Sequence, residues 1–255
     1  MAFDVEWLAL REPADHAARD LDLLQRAIGL AGAVPRILDI ACGTGSTLRA
    51  FAPHVSQRAT WRLLDNDATL LERAGQNSPT AVETYSFDIS NPHDIPVADA
   101  SLVTASALLD LVSETWLEAL VASLCARDLP FYAALSYDGR MNWTPRHEED
   151  DLVTEAFNRH QRLDKGFGPA LGPDAVPVAR RLFEARGYVV SLAASDWRFD
   201  NGACALKDRL TRDIATAAAE AGYTAMPDWQ AQAGSRALVV GHLDLLAMPA
   251  RPRSN

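Results

Sequence analysis

Arg36-Ile37-Leu38-Asp39-Ile40-Ala41-Cys42-Gly43-Thr44-Gly45 is the stretch whose reading decides the fold of this chain. Its apolar half reads as a short buried strand that ends in an acidic residue. Two glycines follow in a turn, and a helix over 46–52 is stopped by Pro53. Gly43 and Gly45 permit positive φ and a close approach of backbone to a ligand. Strand, glycine turn and helix in that order begin an α/β unit with parallel strands.

The same alternation continues downstream. Trp61-Arg62-Leu63-Leu64 reads as a second strand running into Asp65-Asn66-Asp67, and the next helix carries Leu70, Leu71 and Ala74. Residues 81–87 form a third strand followed by Asp88, and Leu102 to Ser106 a fourth. Ser113 caps a helix with Trp116, Leu117, Leu120, Val121 and Leu124 on one face. Phe131 to Ser136 is the fifth strand. Upstream, residues 13–29 read as one helix with Pro13 in its first turn and Gly29 and Gly32 at its end.

The pattern lapses at 138–172, where a helix over 149–163 and a Gly/Pro-rich loop over 166–173 are expected. It resumes with a helix at 174–186, a strand at 188–193, a helix at 204–221, a last strand at 236–246 and a polar tail at 248–255. No linker divides these elements, so residues 1–255 read as a single domain. Within it, 1–33 form an N-terminal cap, 34–137 a ligand-binding half, 138–172 an insertion after strand 5, and 173–247 the rest of the sheet.

Composition narrows the function. The chain has 255 residues, 48% hydrophobic and 23% charged, which suits a folded globule and excludes a disordered or collagen-like chain. Its 24 Lys+Arg against 34 Asp+Glu leave a net charge of −10, unsuited to nucleic acid or an anionic membrane. Nearly all the positive charge is arginine, because Lys165 and Lys207 are the only lysines. No apolar run approaches a membrane span. The opening Met1-Ala2-Phe3-Asp4-Val5-Glu6 lacks the basic and apolar regions of a secretory signal, so a cytoplasmic location is expected. The 3 cysteines, Cys42, Cys125 and Cys204, are far apart and form no metal-binding pattern, so no metal is expected.

Acidic residues stand at the carboxyl ends of consecutive strands, where open α/β sheets bind ligands. Asp39 precedes the glycine turn, Asp65 lies about 20 residues beyond Gly43, and Asp88 follows strand 3. An acid at the second position reaches the hydroxyls of a ribose. One on the next strand can accept from an exocyclic amine such as adenine N6. Each has a plainer reading: the glycine turn as tight packing, Asp65 and Asp67 as helix caps, Asp88 as a turn residue. Their order along the chain favours a nucleoside site.

Ile37-Leu38-Asp39-Ile40-Ala41-Cys42-Gly43-Thr44-Gly45 resembles motif I of the class I S-adenosylmethionine-dependent methyltransferases. Leu64-Asp65-Asn66-Asp67 resembles their strand 2 acidic motif, Phe87-Asp88-Ile89 their adenine motif, and Ser101 to Ser106 their strand 4 motif. The likeness covers 34–137 well and 173–247 only in element order. It implies a Rossmann-like, doubly wound, seven-stranded sheet of order 3-2-1-4-5-7-6, with the last strand antiparallel and an N-terminal lid helix. About forty residues separate the last two strands, where the family usually has a tight hairpin, so an inserted helix is expected to flank the sheet.

The resemblance also implies roles, with S-adenosylmethionine as cofactor. Asp39 and the backbone at Ala41, Gly43 and Gly45 would face its methionine half and sugar. Asp65 would bind the ribose hydroxyls, with Asn66 beside the adenine. Asp88 would meet adenine N6, with Ile89 against the ring. Ser106 and Leu108 would sit near the methionyl portion. Arg19 or Arg11 would pair with its carboxylate, unless Arg19 is a solvated helix residue. Ala41 stands where the family has its first glycine, harmless if its φ is negative. Ser101 replaces an acid common within strand 4.

The implied activity is methyl transfer by in-line displacement to a small-molecule acceptor. Candidate catalytic groups are His147, Asp110 and Tyr137, the first two with a structural alternative. His147 sits beside Glu148, Glu149 and Asp150 as a surface histidine would, and Asp110 can simply start a helix. Arg140 and Arg146 are candidates to clamp an acidic substrate, and Trp143 and Phe167 to wall a flat one or to anchor the insertion. A homodimer is left open. Two other functions compete. One is a regulatory protein that binds the cofactor without catalysis. The other is a nicotinamide-dependent oxidoreductase, which lacks its third small residue after Gly45 and any Tyr-x-x-x-Lys pair here.

Overall fold

The structure, a computed structural model, describes residues 4–225 and 227–250. Its sheet is built from β1 (Arg36–Ile40), β2 (Thr60–Asp65), β3 (Val82–Ser86), β4 (Leu102–Ser106), β5 (Phe131–Thr144), β6 (Tyr188–Ala194), β7 (Trp197–Phe199) and β8 (Ala237–Pro249). The order is β3-β2-β1-β4-β5-β8-β6, with β7 also paired to β8. The first five strands are parallel, and β8 runs antiparallel to both β5 and β6. This is the expected order, with β8 in the seventh place and β7 as an eighth strand that the sequence did not reveal.

The helices are α1 (Val5–Ala18), α2 (Leu21–Leu30), α3 (Ser46–Phe51), α4 (Ala68–Gln76), α5 (Glu114–Cys125), α6 (Asp150–Gln161), α7 (Ala175–Glu184), α8 (Ala205–Glu220) and α9 (Pro227–Ala233). Strand residues alternate between two cores, as the two-residue period of a strand requires. Leu38, Ile40, Val103 and Phe131 pack on α5 and α7. Ile37, Leu63, Leu102 and Tyr132 pack on α2, α3 and α4. Both faces are covered, which explains the continuous apolar strands. Among the described residues no helix is long and apolar enough to cross a membrane.

Several sequence expectations change. The single helix over 13–29 is two helices, because Arg19 and Asp20 are extended and the Asp20 carboxylate caps α2 by accepting from Leu23 N at 2.7 Å. Asp20 N in turn donates to the buried Asp244 at 3.1 Å, which fixes the break against β8. Pro13 therefore lies inside α1 rather than in a first turn. β5 does not stop at Ser136: it continues through two register irregularities to Thr144, paired with β8. The start of the expected insertion is thus a strand. The extended β5–β8 ribbon carries a third core of Trp143, Trp197, Trp229 and Val153, closed by α6, α8 and α9. Of the polar tail expected at 248–255, residues 248 and 249 end β8, and 251–255 lie outside the described residues.

Ala41 has φ +51°, not the negative value that would make it harmless. The left-handed conformation costs an L-residue about 1–2 kcal/mol, and glycine's added freedom in the unfolded chain offsets part of any gain. Ala41→Gly is therefore expected to stabilise the protein by about 0.5 kcal/mol, read as a higher urea midpoint with an unchanged slope. A lower midpoint would mean that the Ala41 methyl makes contacts worth more than the strain.

Candidate functional site

The carboxyl ends of β1, β2 and β4 open into a cavity of about 690 Å³ beneath α1. The volume lies in the range of small-ligand pockets, and the position is where open α/β sheets bind ligands. The loop between β1 and α3 is pinned by Cys42 N donating to Leu64 O at 2.9 Å and Gly45 N donating to Cys42 O at 2.9 Å. Gly43 lines the cavity, and a Cβ there would touch Leu8 of α1 at 3.4 Å. Gly45 is not in the lining; its missing Cβ lets the start of α3 meet Ala74 of α4.

At one end stand Asp65, Asn66, Asp88 and Ile89, brought together from the ends of β2 and β3. Asp65 is buried, and each carboxylate oxygen accepts one backbone N–H, from Gly43 at 2.8 Å and from Asp67 at 3.0 Å. Each keeps a further acceptor position. Burial holds its pKa above the ordinary carboxylate value, opposed by those hydrogen bonds. Asp67 instead caps α4 by accepting from Thr69 N and Leu70 N. Asp88 accepts from Ser90 N at 2.8 Å, and Ile89 is held by Trp116, whose indole donates to Ile89 O at 2.7 Å.

At the other end are Arg19, Thr47, Ser106, Ala41 and Leu108. Arg19 is buried at the α1–α2 break, and its Nη2 donates to Ser106 Oγ at 2.8 Å. Its Nε and Nη1 have no hydrogen-bond partner. A buried guanidinium left half-satisfied is costly, and its two free nitrogens leave this end with donors that suit an anionic group. Thr47 Oγ1 lies 2.9 Å from Ser106 Oγ and extends the polar wall.

Asp39 lies below this wall, fully buried, and does not line the cavity. It accepts from Thr104 Oγ1 at 2.7 Å, and its other oxygen is unpartnered. Burial pushes its pKa up to about 7 against the pull of Thr104 and Arg19. The folded state then holds this proton more tightly than the unfolded chain does. That stability is fully present below about pH 4 and is lost as pH rises through about 7. Cofactor-free protein should therefore lose stability between about pH 4 and 7, by ~4 kcal/mol in all. Asp39→Asn should flatten that slope in urea melts; an unchanged slope would mean that Asp39 stays ionised throughout.

The lid helix α1 is tied down from both sides. Glu12 pairs with Arg49 of α3, and His16 Nε2 lies 3.1 Å from Ser46 Oγ. Arg11 binds Asp15 and stacks over Trp197 of β7 at 4.9 Å, and Trp197 Nε1 donates to Asp15 at 3.0 Å. Arg11, Asp15 and Leu8 line the cavity together with Lys165, Gly166 and Phe167. The sequence reading missed Asp15, Thr47 and Lys165 as lining residues. For Lys165 a signal existed: it is one of two lysines in the chain and precedes a glycine in the Gly/Pro-rich loop.

The remaining candidates are not brought to the cavity. His147 Nδ1 accepts from Glu149 N at 3.2 Å and Nε2 faces Asp228 at 3.4 Å, so both ring nitrogens are engaged on the far ribbon. Tyr137 donates to Asn158 Oδ1 at 2.8 Å within the third core. Asp110 is buried behind the wall, its Oδ1 unpartnered and its pKa pushed up by burial to about 6. Arg140 pairs with Asp138 and Asp196, Arg146 pairs with Asp151, and Trp143 packs on Trp229. The cause is the continuation of β5, which carries 138–144 along β8 and away from the cavity.

A family model described as a methyltransferase domain matches residues 37–127, the segment that carries β1 to β4 and the Asp65–Asp88 end of this cavity. Residues 37–127 are thus similar to a methyltransferase domain, in agreement with the resemblance to the class I S-adenosylmethionine-dependent methyltransferases carried by their motifs. In fold it is similar to the YcgJ protein from Bacillus subtilis, with TM-score 0.57 and 16% identity over 91% of this chain and 100% of that one. It is also similar to a cyclopropane-fatty-acyl-phospholipid synthase-like protein from Lactobacillus casei, with TM-score 0.54 and 13% identity over 93% of this chain and 99% of that one. No curated protein matches it in sequence.

Proposed function

We propose that this methyltransferase acts on a small-molecule acceptor in the cytoplasm, holding S-adenosylmethionine between Arg19 and Asp65. The observation that carries the reading is one cavity with complementary ends. A buried guanidinium with two unpartnered nitrogens faces it from one side, and a buried carboxylate with spare acceptor positions from the other. Arg19 would take the methionine carboxylate, Asp65 the ribose hydroxyls and Asp88 the adenine amine, with Ile89 against the ring. The bound cofactor supplies an electrophilic methyl group on a sulfonium. The protein's own contribution is position: α1 and the 165–167 loop exclude water and hold the acceptor in line.

The roofed cavity and the net charge of −10 support a small acceptor over nucleic acid or an anionic membrane. The test supplies purified protein with methyl-labelled S-adenosylmethionine and a fractionated cell extract. Label is expected in the small-molecule fraction. Label confined to protein or nucleic acid, or none transferred at all, would sink this reading. In the same assay His147→Ala is expected to keep transfer within about twofold, since surface changes away from a site rarely matter more. A loss of about tenfold or more would return His147 to the catalytic set.

A further inference from the structure

We infer that the acceptor is a small carboxylic acid with an apolar body, held through its carboxylate by Lys165 and methylated on a carboxylate oxygen to give a methyl ester. The inference rests on the cofactor placement proposed above, and on the wall of the cavity that this placement leaves uncovered.

That wall is a tight loop after α6. Asp164 Oδ1 accepts from Gly166 N at 2.7 Å and Gly168 N at 3.1 Å, and both glycines have positive φ. This geometry holds Lys165 and Phe167 at the cavity. Phe167 packs edge-on against Trp116, at 5.8 Å between ring centres, which anchors this side of the wall. Lys165 Nζ donates to His160 O at 3.1 Å, which leaves further N–H donors. Among the described residues no carboxylate lies within ion-pairing distance of it. Lys165 is also half-buried, and that burial lowers its pKa. A partly desolvated cation beside Phe167 and Leu111 fits an anion on an apolar frame.

Apart from Asp65, Asp67 and Asp88 at the cofactor end, the lining among the described residues holds one acid, Asp15, whose oxygens are both engaged by Arg11 and Trp197, and no histidine; Asp110, near Lys165, lies buried outside it. Cys42 is buried with its thiol pKa pushed up. An amine or alcohol would need to shed a proton; a carboxylate arrives ready to react. One carboxylate oxygen on Lys165 leaves the other to form the O–CH3 bond with its lone pair. The S–CH3 bond breaks with its electron pair staying on sulfur. A carboxylate and a sulfonium become a neutral ester and a neutral thioether, and no proton moves.

The test uses full-length protein saturated with S-adenosylhomocysteine, with benzoate and 2-naphthoate as probes against their neutral amides, by calorimetry. The carboxylates are expected to bind roughly 10- to 100-fold more tightly than the amides, the magnitude of a hydrogen bond to a charged group. Lys165→Met should abolish that preference while leaving S-adenosylhomocysteine affinity unchanged, and Lys165→Arg should restore most of it. Transfer to these acids from S-adenosylmethionine should give a product that mild base hydrolyses. Equal binding of acid and amide, no binding of any acid, or a preference that survives Lys165→Met would overturn the inference. Failure of S-adenosylhomocysteine itself to bind would instead overturn the cofactor placement beneath it.

Discussion

Arg19→Met is expected to weaken S-adenosylhomocysteine binding by about 100-fold or more while leaving the cofactor-free protein as stable as before, or more stable by ~1 kcal/mol. The two effects have one cause. In the free protein the guanidinium is buried, bonded to Ser106 alone, with Nε and Nη1 unpartnered. Replacing a poorly satisfied buried cation by an apolar chain of similar length removes a desolvation cost and loses one hydrogen bond. In the complex, the same nitrogens meet a carboxylate, and charge-assisted bonds of this kind are the strong ones. Calorimetric titration and urea melts on the same preparation give both numbers. A variant that loses stability and keeps its affinity would show that Arg19 serves the α1–α2 corner and not the ligand.

Asp65→Ala is expected to cost about 100-fold or more in S-adenosylhomocysteine affinity and, unlike Arg19→Met, about 1–3 kcal/mol of stability. Its carboxylate accepts from Gly43 N and Asp67 N, so truncation strands donors in the glycine loop and at the cap of α4. Asp67→Asn is the control, because asparagine caps a helix about as well as aspartate. It should leave affinity within about twofold. If Asp65→Ala binds the ligand as tightly as the parent, the ribose assignment fails, and Asp65 is a brace for the loop.

The pair distinguishes two kinds of site residue. Asp65 is satisfied without a ligand and organises the loop whether or not one is present. Arg19 is unsatisfied without one. The sequence could name both, but it could not tell them apart, since the difference lies in what surrounds each group.

The sequence alone determined the parallel half of the sheet, because that half is local. β1, β2 and β4 are largely apolar runs, each followed by its own helix, and the acids at the strand ends fall where parallel connections put every carboxyl end on one side. Asp65, Asp88, Gly43 and Ser106 reach one cavity for that reason. Tertiary structure alone decided the rest. The pairing of 137–144 with β8 joins segments about a hundred residues apart, and this sequestered Tyr137, Arg140 and Trp143 from the cavity. The break at Asp20 depends on Asp244, far along the chain, and it is that break which buries Arg19. Lys165 reaches the cavity only because Asp164 ties down a glycine loop and Phe167 lodges on Trp116. Periodicity and local motifs report contacts along one element; which distant surfaces meet is settled by packing, and the acceptor end of this site is made from such meetings.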